Sequence, residues 1–366
     1  MNALALVTDA FGGSGGIAQY NRDLVKALSH CSGSGRIVIL PRGGNGAGSS
    51  TPPNAHQLKI HKNQIVYAFA ALNAAMTRGP FDCVYCGHLH LAPLAAFLAW
   101  LLGIPLWLQL HGWEAWEKPR RAERWAAERA KLVTSVSRYT RRRFLSMIGI
   151  DPSRVRVLPN TVQASFTPGV KSTALLDRYG VRSKRVLLTV GRLDPLERRK
   201  GHDKIIEALP KVAKTNADVV YLVVGEGEDH TRLEALARRL GVDKIVLFAG
   251  RIEPDELPEL YRLADLFVMP STQEGFGIVF LEAAASGVRA IGGNADGSID
   301  ALADGALGTI IDPTDTAALV QAIKDGLAGR GANPAEVRRF AFANFASQVR
   351  ELVSRDLLCA TESATA

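Results

Sequence analysis

Short, nearly unbroken apolar runs recur along the chain, each closing in Gly, Pro, Asp or His. Each is followed by a longer segment with apolar positions three or four residues apart. The runs lie at residues 4–8, 36–40, 82–86 and 105–110, with 155–162 closing the first half. In the second half they lie at 185–190, 219–224, 244–248, 265–269, 288–291 and 307–311. Runs that are apolar throughout, not alternating, predict parallel strands buried on both faces. The segments between them predict helices at 17–28, 64–76, 91–102, 118–131, 202–212, up to 240, 255–264, after 277, and at 316–327 and 346–358. Strand and helix in alternation predict an α/β chain of two doubly wound, Rossmann-like domains. The expected domains are 1–165 and 166–345, with Pro168-Gly169 as linker. Residues 42–57, rich in Gly, Ser, Pro and Asn, read as a mobile loop or a short disordered insertion, and 360–366 as a frayed tail.

Composition narrows the class. A chain of 366 residues that is 47% hydrophobic can build two ordinary cores. No apolar run reaches the roughly 18 to 20 residues of a spanning helix, and the longest candidate, 91–110, is broken by Pro93, Gly103 and Pro105. The start, Met1 to Val7, lacks a basic segment and runs into Thr8-Asp9, so no signal peptide is expected and a cytoplasmic location is. The cysteines at 31, 83, 86 and 359 are too scattered for a disulfide framework. Cys83 and Cys86 with His88 and His90 could be half a zinc site, but no second ligand pair follows, and buried free thiols are the better reading.

Charge changes the picture more. Residues 1–165 hold 19 Lys and Arg against 8 Asp and Glu, a net of +11, whereas the remainder holds 25 against 28. The excess suggests an anionic partner for the first half, or else a solvated basic surface. The segment 137–145, with Arg141, Arg142 and Arg143, could hold lipid headgroups while Phe144, Leu145 and Met147 dip into a membrane interface. No reader motif supports nucleic-acid binding.

The chemistry-bearing stretches all fall where a strand hands over to a helix. The richest is Pro270-Ser271-Thr272-Gln273-Glu274-Gly275-Phe276-Gly277-Ile278, with Glu282 two helical turns beyond Glu274. Backbone N–H groups at a helix start attract anions, and glycines let a ligand approach closely. Carboxylates do not favour phosphate but accept hydrogen bonds from hydroxyls, so the stretch suits a ligand with both phosphate and sugar hydroxyls. Arg192 and Lys200 share a loop after the strand at 185–190. A rigid guanidinium fork and a mobile ammonium together suit a diphosphate, although a salt-bridged loop is the alternative for either. His111 closes the strand at 105–110, at the edge where such a domain presents its cleft. Gly12-Gly13-Ser14-Gly15-Gly16 has the wrong spacing for a dinucleotide fingerprint, and Pro41-Arg42 stand where a nicotinamide enzyme would place its acid, which weakens an oxidoreductase reading.

Glu274, seven residues and Glu282, with Pro270-Ser271 and Gly275-Phe276-Gly277, resemble the signature of the retaining nucleotide-sugar glycosyltransferases of family 4, which have the GT-B fold. The resemblance implies two Rossmann-like domains facing across a cleft, the first binding acceptor and the second donor, with the last helix crossing back to the first domain. It implies that Gly15 and Gly16 lie against the donor diphosphate, and that His111 contacts the donor sugar. Arg192 and Lys200 would stabilise the departing diphosphate, and Gly225, Arg251 and Ile252 would hold the base. Glu274 would orient sugar hydroxyls, Glu282 the ribose hydroxyls, and the turn Gly275, Phe276, Gly277 and Ile278 would line the donor. No cofactor and no metal are implied, in keeping with the lack of an Asp-x-Asp motif. Arg289, where a proline is common, and Gly292 to Ser298, which replace the usual glycine pair and acid, depart from the pattern.

The expectation is therefore a metal-independent retaining hexosyltransferase. Its donor would be GDP-mannose or a UDP-hexose. The acceptor would be a lipid-linked saccharide in envelope or exopolysaccharide assembly, at the inner membrane face. The alternatives are a nucleotide-sugar epimerase or hydrolase of the same fold, a glycosyltransferase with a small-molecule acceptor, and a non-enzymatic nucleotide-binding module.

Overall fold

The computed structural model describes residues 1–31, 35–44, 51–329 and 331–358. Residues 45–50 of the expected loop, Cys359 and the expected tail at 360–366 lie outside the described residues. The chain forms two compact units, one of Met1–Thr161 with Phe342–Ala366 and one of Val162–Ala341.

The first unit is built on a seven-stranded parallel sheet. Its strands are β1 (Ala3–Val7), β2 (Ile37–Pro41), β3 (Ala55–Gln57), β4 (Cys83–Cys86), β5 (Leu106–Leu110), β6 (Leu132–Ser135) and β7 (Val155–Val157). They lie in the order β3-β2-β1-β4-β5-β6-β7. The central strands are buried along their whole length, which is why their sequences carry no alternation. β3 was not expected. Its residues Ala55-His56-Gln57 are not an apolar run, and the strand forms at the sheet edge by pairing with β2. Cys83 and Cys86 are buried free thiols whose pKa values burial pushes up to about 12.

The second unit repeats the plan in a six-stranded parallel sheet. Its strands are β8 (Arg185–Val190), β9 (Val219–Val224), β10 (Val246–Gly250), β11 (Leu266–Met269), β12 (Ala290–Gly293) and β13 (Gly308–Ile311), in the order β10-β9-β8-β11-β12-β13. The helix His202–Ala213 buries Ile205, Ile206, Leu209 and Val212 against this sheet. The chain then returns to the first unit at Phe342. The last helix, Phe342–Glu351, begins four residues before the expected 346 and packs on the helix Gly16–Ser29. It ends in a π-helical turn, Leu352–Leu357, that buries Val353 and Leu357.

Each sheet reverses its building direction once, between β1 and β4 and between β8 and β11. At such a reversal the loops leaving two neighbouring strands diverge to opposite faces and open a crevice at the carboxyl edge.

Candidate active site

In the second unit the two loops at the reversal are those that carry Arg192 with Lys200 and Glu274. After β8, Asp194 caps the short 3-10 helix Pro195–Lys200 by accepting from Leu196 N–H at 2.8 Å. That turn folds Lys200 back, so that Nζ stands 3.4 Å from Glu274 Oε2 and 3.6 Å from Glu197 Oε2. Glu197 also pairs with the Arg192 guanidinium. The salt-bridged loop weighed against a phosphate site is thus present for both cations, and it forms one chain, Arg192 to Glu197 to Lys200 to Glu274. Lys200 is mostly enclosed, at 15% side-chain exposure, whereas Arg192 is 77% exposed. Both cations are ion-paired, one enclosed and the other at the solvent edge.

Glu274 is held from below by a residue that sequence reasoning missed. Asp296 is fully buried; its Oδ2 accepts from Glu274 N–H at 2.7 Å and from the Ser271 hydroxyl at 2.8 Å, and its Oδ1 accepts from Ser298 N–H at 2.9 Å. Gly297 N–H donates to Glu274 O at 2.8 Å, closing the bracket from the other side. Burial lifts the Asp296 pKa to about 6 against these donors. The signal in the sequence was an acid followed by Gly-Ser at a strand end, the usual setting for a side chain that bonds a backbone N–H two residues on.

The helix Ile278–Ala285 starts at Gly277, whose φ of +89° is left-handed. A Cβ there would lie 2.6 Å from the Phe280 ring, so only glycine fits. Phe280 N–H donates to Gly277 O at 3.0 Å, and the N–H groups ahead of it, at Ile278 and Val279, precede the first carbonyl that the helix offers as acceptor and lie at the same edge. One turn further, Glu282 is half-buried, and the Tyr261 hydroxyl donates to its Oε2 at 2.7 Å. Burial raises the Glu282 pKa to about 7. Gly225 closes β9, where a Cβ would fall 1.9 Å from the Gly191 oxygen, and its N–H donates to Gly250 O at 2.9 Å. Arg251, exposed and 3.8 Å from Glu226, and Ile252 follow β10. Gly225, Arg251, Arg192, Lys200, Glu274 and Glu282 are thereby brought to one edge of one sheet.

The first unit presents a different edge. Glu114 Oε1 accepts from the N–H groups of both His111, at 2.5 Å, and Gly112, at 3.2 Å, and so caps the end of β5. Glu114 is a second residue whose role sequence reasoning missed. His111 Nε2 stands 3.0 Å from Gly87 O. A carbonyl can only accept, so the proton sits on Nε2 and Nδ1 keeps its lone pair. Burial lowers the His111 pKa to about 4, which keeps the ring neutral near pH 7. The Tyr20 ring meets it edge-on at 5.1 Å, and the Tyr20 hydroxyl donates to the buried Gln109 at 2.8 Å. Gly15, with φ +89°, and Gly16 are exposed at the start of the helix Gly16–Ser29.

Two other expectations change. Phe144 does not face a membrane: it is fully buried, because the helix Arg138–Leu145 turns that side to the core. Arg141 is used internally, donating to Val155 O at 2.7 Å and Pro152 O at 2.8 Å, and Arg143 donates to Trp116 O at 3.1 Å. His90 Nδ1 meets Glu123 at 2.8 Å and His202 Nδ1 meets the Tyr221 hydroxyl at 3.0 Å. Among the described residues no group of three or more His, Cys, Asp or Glu could hold a metal ion, and no helix is long and apolar enough to cross a membrane.

Two doubly wound units, the second with cations and carboxylates at its switch point, are the architecture of GT-B glycosyltransferases. The solved structure of Anabaena HepE in complex with UDP-glucose shares that fold, with a TM-score of 0.78 over 97% of this chain and 99% of its own at 22% identity. Residues 14–166 match the model of Glycosyltransferase Family 4, and residues 178–341 that of glycosyl transferases group 1. The chain belongs to this glycosyltransferase family. A GDP-mannose-dependent alpha-(1-6)-phosphatidylinositol monomannoside mannosyltransferase of Mycolicibacterium smegmatis is 36% identical over 225 residues, 59% of this chain and 58% of that protein. A D-inositol 3-phosphate glycosyltransferase of Geodermatophilus obscurus is 34% identical over 256 residues, 67% of this chain and 56% of its own length. The matches thus span less than two thirds of either relative.

Proposed function

We propose that the chain transfers a hexose, with retention, from GDP-mannose or a UDP-hexose to a lipid-linked saccharide acceptor in envelope or exopolysaccharide assembly. The carrying observation is the meeting of Lys200 and Glu274 from the two loops at the β8/β11 reversal, 3.4 Å apart. A cation and an acid poised together at that crevice suit a ligand whose diphosphate and sugar hydroxyls lie side by side. The relatives named for GDP-mannose and a phosphatidylinositol mannoside support the donor and the amphiphilic acceptor, and HepE, solved with UDP-glucose, keeps the UDP-hexose option.

In this reading the bond from the anomeric carbon to the diphosphate oxygen breaks and negative charge collects on the leaving group. Lys200, Arg192 and the N–H groups after Gly277 receive that charge in place of Glu197, and charge stabilisation arranged in advance lowers the barrier. The acceptor oxygen bonds the anomeric carbon on the face that the diphosphate leaves, and its proton passes to the departing phosphate oxygen. No metal or cofactor takes part. Glu274 orients the sugar hydroxyls, and Glu282 accepts from the ribose hydroxyls. Gly225, Arg251 and Ile252 hold the base. On the first unit, Gly15 and Gly16 serve the diphosphate and His111 Nδ1 accepts from a hydroxyl of the sugar.

A soluble polyol phosphate is the second acceptor reading, favoured by the similarity to D-inositol 3-phosphate glycosyltransferases. Incubation with labelled GDP-mannose and UDP-glucose in EDTA, with lipid extracts or inositol phosphates as acceptors, separates the two. A labelled glycolipid whose anomeric proton coupling matches the donor supports the main reading. A labelled inositol phosphate supports the second, and release of free sugar without either acceptor would make the chain a hydrolase.

A further inference from the structure

The helices Gln64–Thr77 and Ala92–Leu102 of the first unit pack together and are apolar on both sides. Their inner faces bury Tyr67, Ala71 and Leu98 in the core. On the outer side Ile65, Phe69 and Met76 fall on one stripe at helical spacing and are 68%, 68% and 65% exposed. Trp100, 72% exposed, stands beside Phe97 with ring centroids 6.0 Å apart. A contiguous exposed apolar face of this kind marks an interaction site.

The charges around it decide what kind. Between Asp23 and Asp82, and again between Asp82 and Glu114, the sequence has no Asp or Glu, while Lys59, Lys62 and Arg78 flank the first helix. All three cations are exposed. A cavity of about 460 Å³ opens beside the pair, lined by Gln64, Ala68, Pro93 and Leu94 of the two helices and by Arg42 and Arg120. Glu123 also lines the cavity, but its two oxygens are engaged by His90 Nδ1 at 2.8 Å and Arg120 N–H at 2.9 Å; apolar side chains bordered by a majority of cations match the boundary between anionic headgroups and acyl chains.

We propose that this paired-helix face rests on an anionic lipid bilayer, with Ile65, Phe69 and Trp100 below the headgroups and Lys59 and Lys62 among them. It replaces the segment 137–145 as the membrane contact. The inference deepens the lipid-linked acceptor reading, since a sugar acceptor anchored in a bilayer must be met at its surface, with Arg42 and Arg120 beside the cavity to receive its phosphate.

Flotation of the full chain with acceptor-free vesicles tests it, because no nucleotide or acceptor is then involved. Vesicles of phosphatidylcholine with and without phosphatidylglycerol are compared for the wild type, Phe69→Ser with Trp100→Ser, and Lys59→Glu with Lys62→Glu. The serine pair is expected to lower partition on anionic vesicles about tenfold or more at every salt concentration. The charge reversals are expected to lower it comparably on anionic vesicles at low salt only. A blue shift of tryptophan emission on anionic vesicles that Trp100→Phe abolishes provides a readout in a nearly native chain. Absence of wild-type flotation overturns the inference, as does equal partition of the serine pair with an unchanged melting curve. A serine pair that turns a dimer into a monomer without changing flotation also overturns it, assigning the face to a second copy of the chain. Sugar transfer to soluble acceptors by the same variants reports on the catalytic reading separately.

Discussion

The two units share a plan and differ in what they place at its switch point. Both sheets are parallel, both are built around central strands buried along their length, and both reverse once. Yet at the edge of the first stands a neutral imidazole, fixed by a carbonyl, two capped amides and a tyrosine ring. At the edge of the second stands a chain of ion pairs. The scaffold therefore decides where loops meet, and the loops decide the chemistry. Net charge misleads on this point. The first unit carries the basic excess of the sequence, but cations such as Arg141 and Arg143 bind backbone carbonyls, while the nearly balanced second unit sets Arg192 and Lys200 with Glu197 and Glu274 at its switch point.

If that contrast governs function, removing a charge from the second edge should cost most. Lys200→Ala is expected to lower the transfer rate about 100- to 1,000-fold, the scale for losing one group that stabilises developing charge, read as kcat with saturating donor. Glu197→Gln should affect rate less, since its role is to hold two cations that a diphosphate also holds.

Asp296→Asn is expected next, by its effect on structure. One Asp296 oxygen accepts two of the bonds that fix the Glu274 loop, and an amide cannot serve every donor. A stability loss of about 1–3 kcal/mol should appear in denaturant unfolding, with a rise in KM for the donor.

The pH response sharpens the comparison, because the two units titrate in opposite senses. In the second unit Glu282 has a folded pKa near 7, above its usual 4.5. Its charged form is disfavoured by folding, so its contribution to stability falls as pH rises from about 4.5 to 7. A ribose hydroxyl needs the carboxylate as acceptor, so nucleotide affinity should rise through pH 7, and Glu282→Gln should flatten that rise in calorimetric titrations. In the first unit His111 has a folded pKa near 4, so its contribution is complete above about 6.5 and is lost as pH falls toward 4. Melting curves between pH 7 and 5 should show a shallower loss for His111→Asn than for the wild type. The smallest effect is expected at Arg142, exposed on the helix Arg138–Leu145, where Ala should change stability by less than about 0.5 kcal/mol.

Most of this architecture was legible because a buried parallel strand must be apolar throughout, and runs such as Arg185–Val190 and Val219–Val224 stand out from any surrounding pattern. What was not legible depends on contacts between distant segments. The strand Ala55–Gln57 exists only because β2 offers it an edge. Asp296 reads as an ordinary turn acid until the fold brings Ser271 and Glu274, 25 and 22 residues away, to its oxygens. Phe144 and the arginines before it look alike as a basic, apolar segment, and only the packing of their helix shows that the phenyl ring is core. The short turn Pro195–Lys200 was equally hidden, yet it is what carries Lys200 to Glu274.

Calorimetric titration of the full chain with GDP, UDP and ADP in EDTA, repeated with Arg192→Ala, Lys200→Ala and Glu282→Ala, tests the central claim most directly. The account predicts that one nucleotide binds clearly better than the others without metal, and that Lys200→Ala and Glu282→Ala each weaken it about tenfold or more, with Arg192→Ala weakening it less. Failure of all three nucleotides to bind, or binding that none of the substitutions changes, would contradict the assignment of a nucleotide-sugar site to this edge of the second unit.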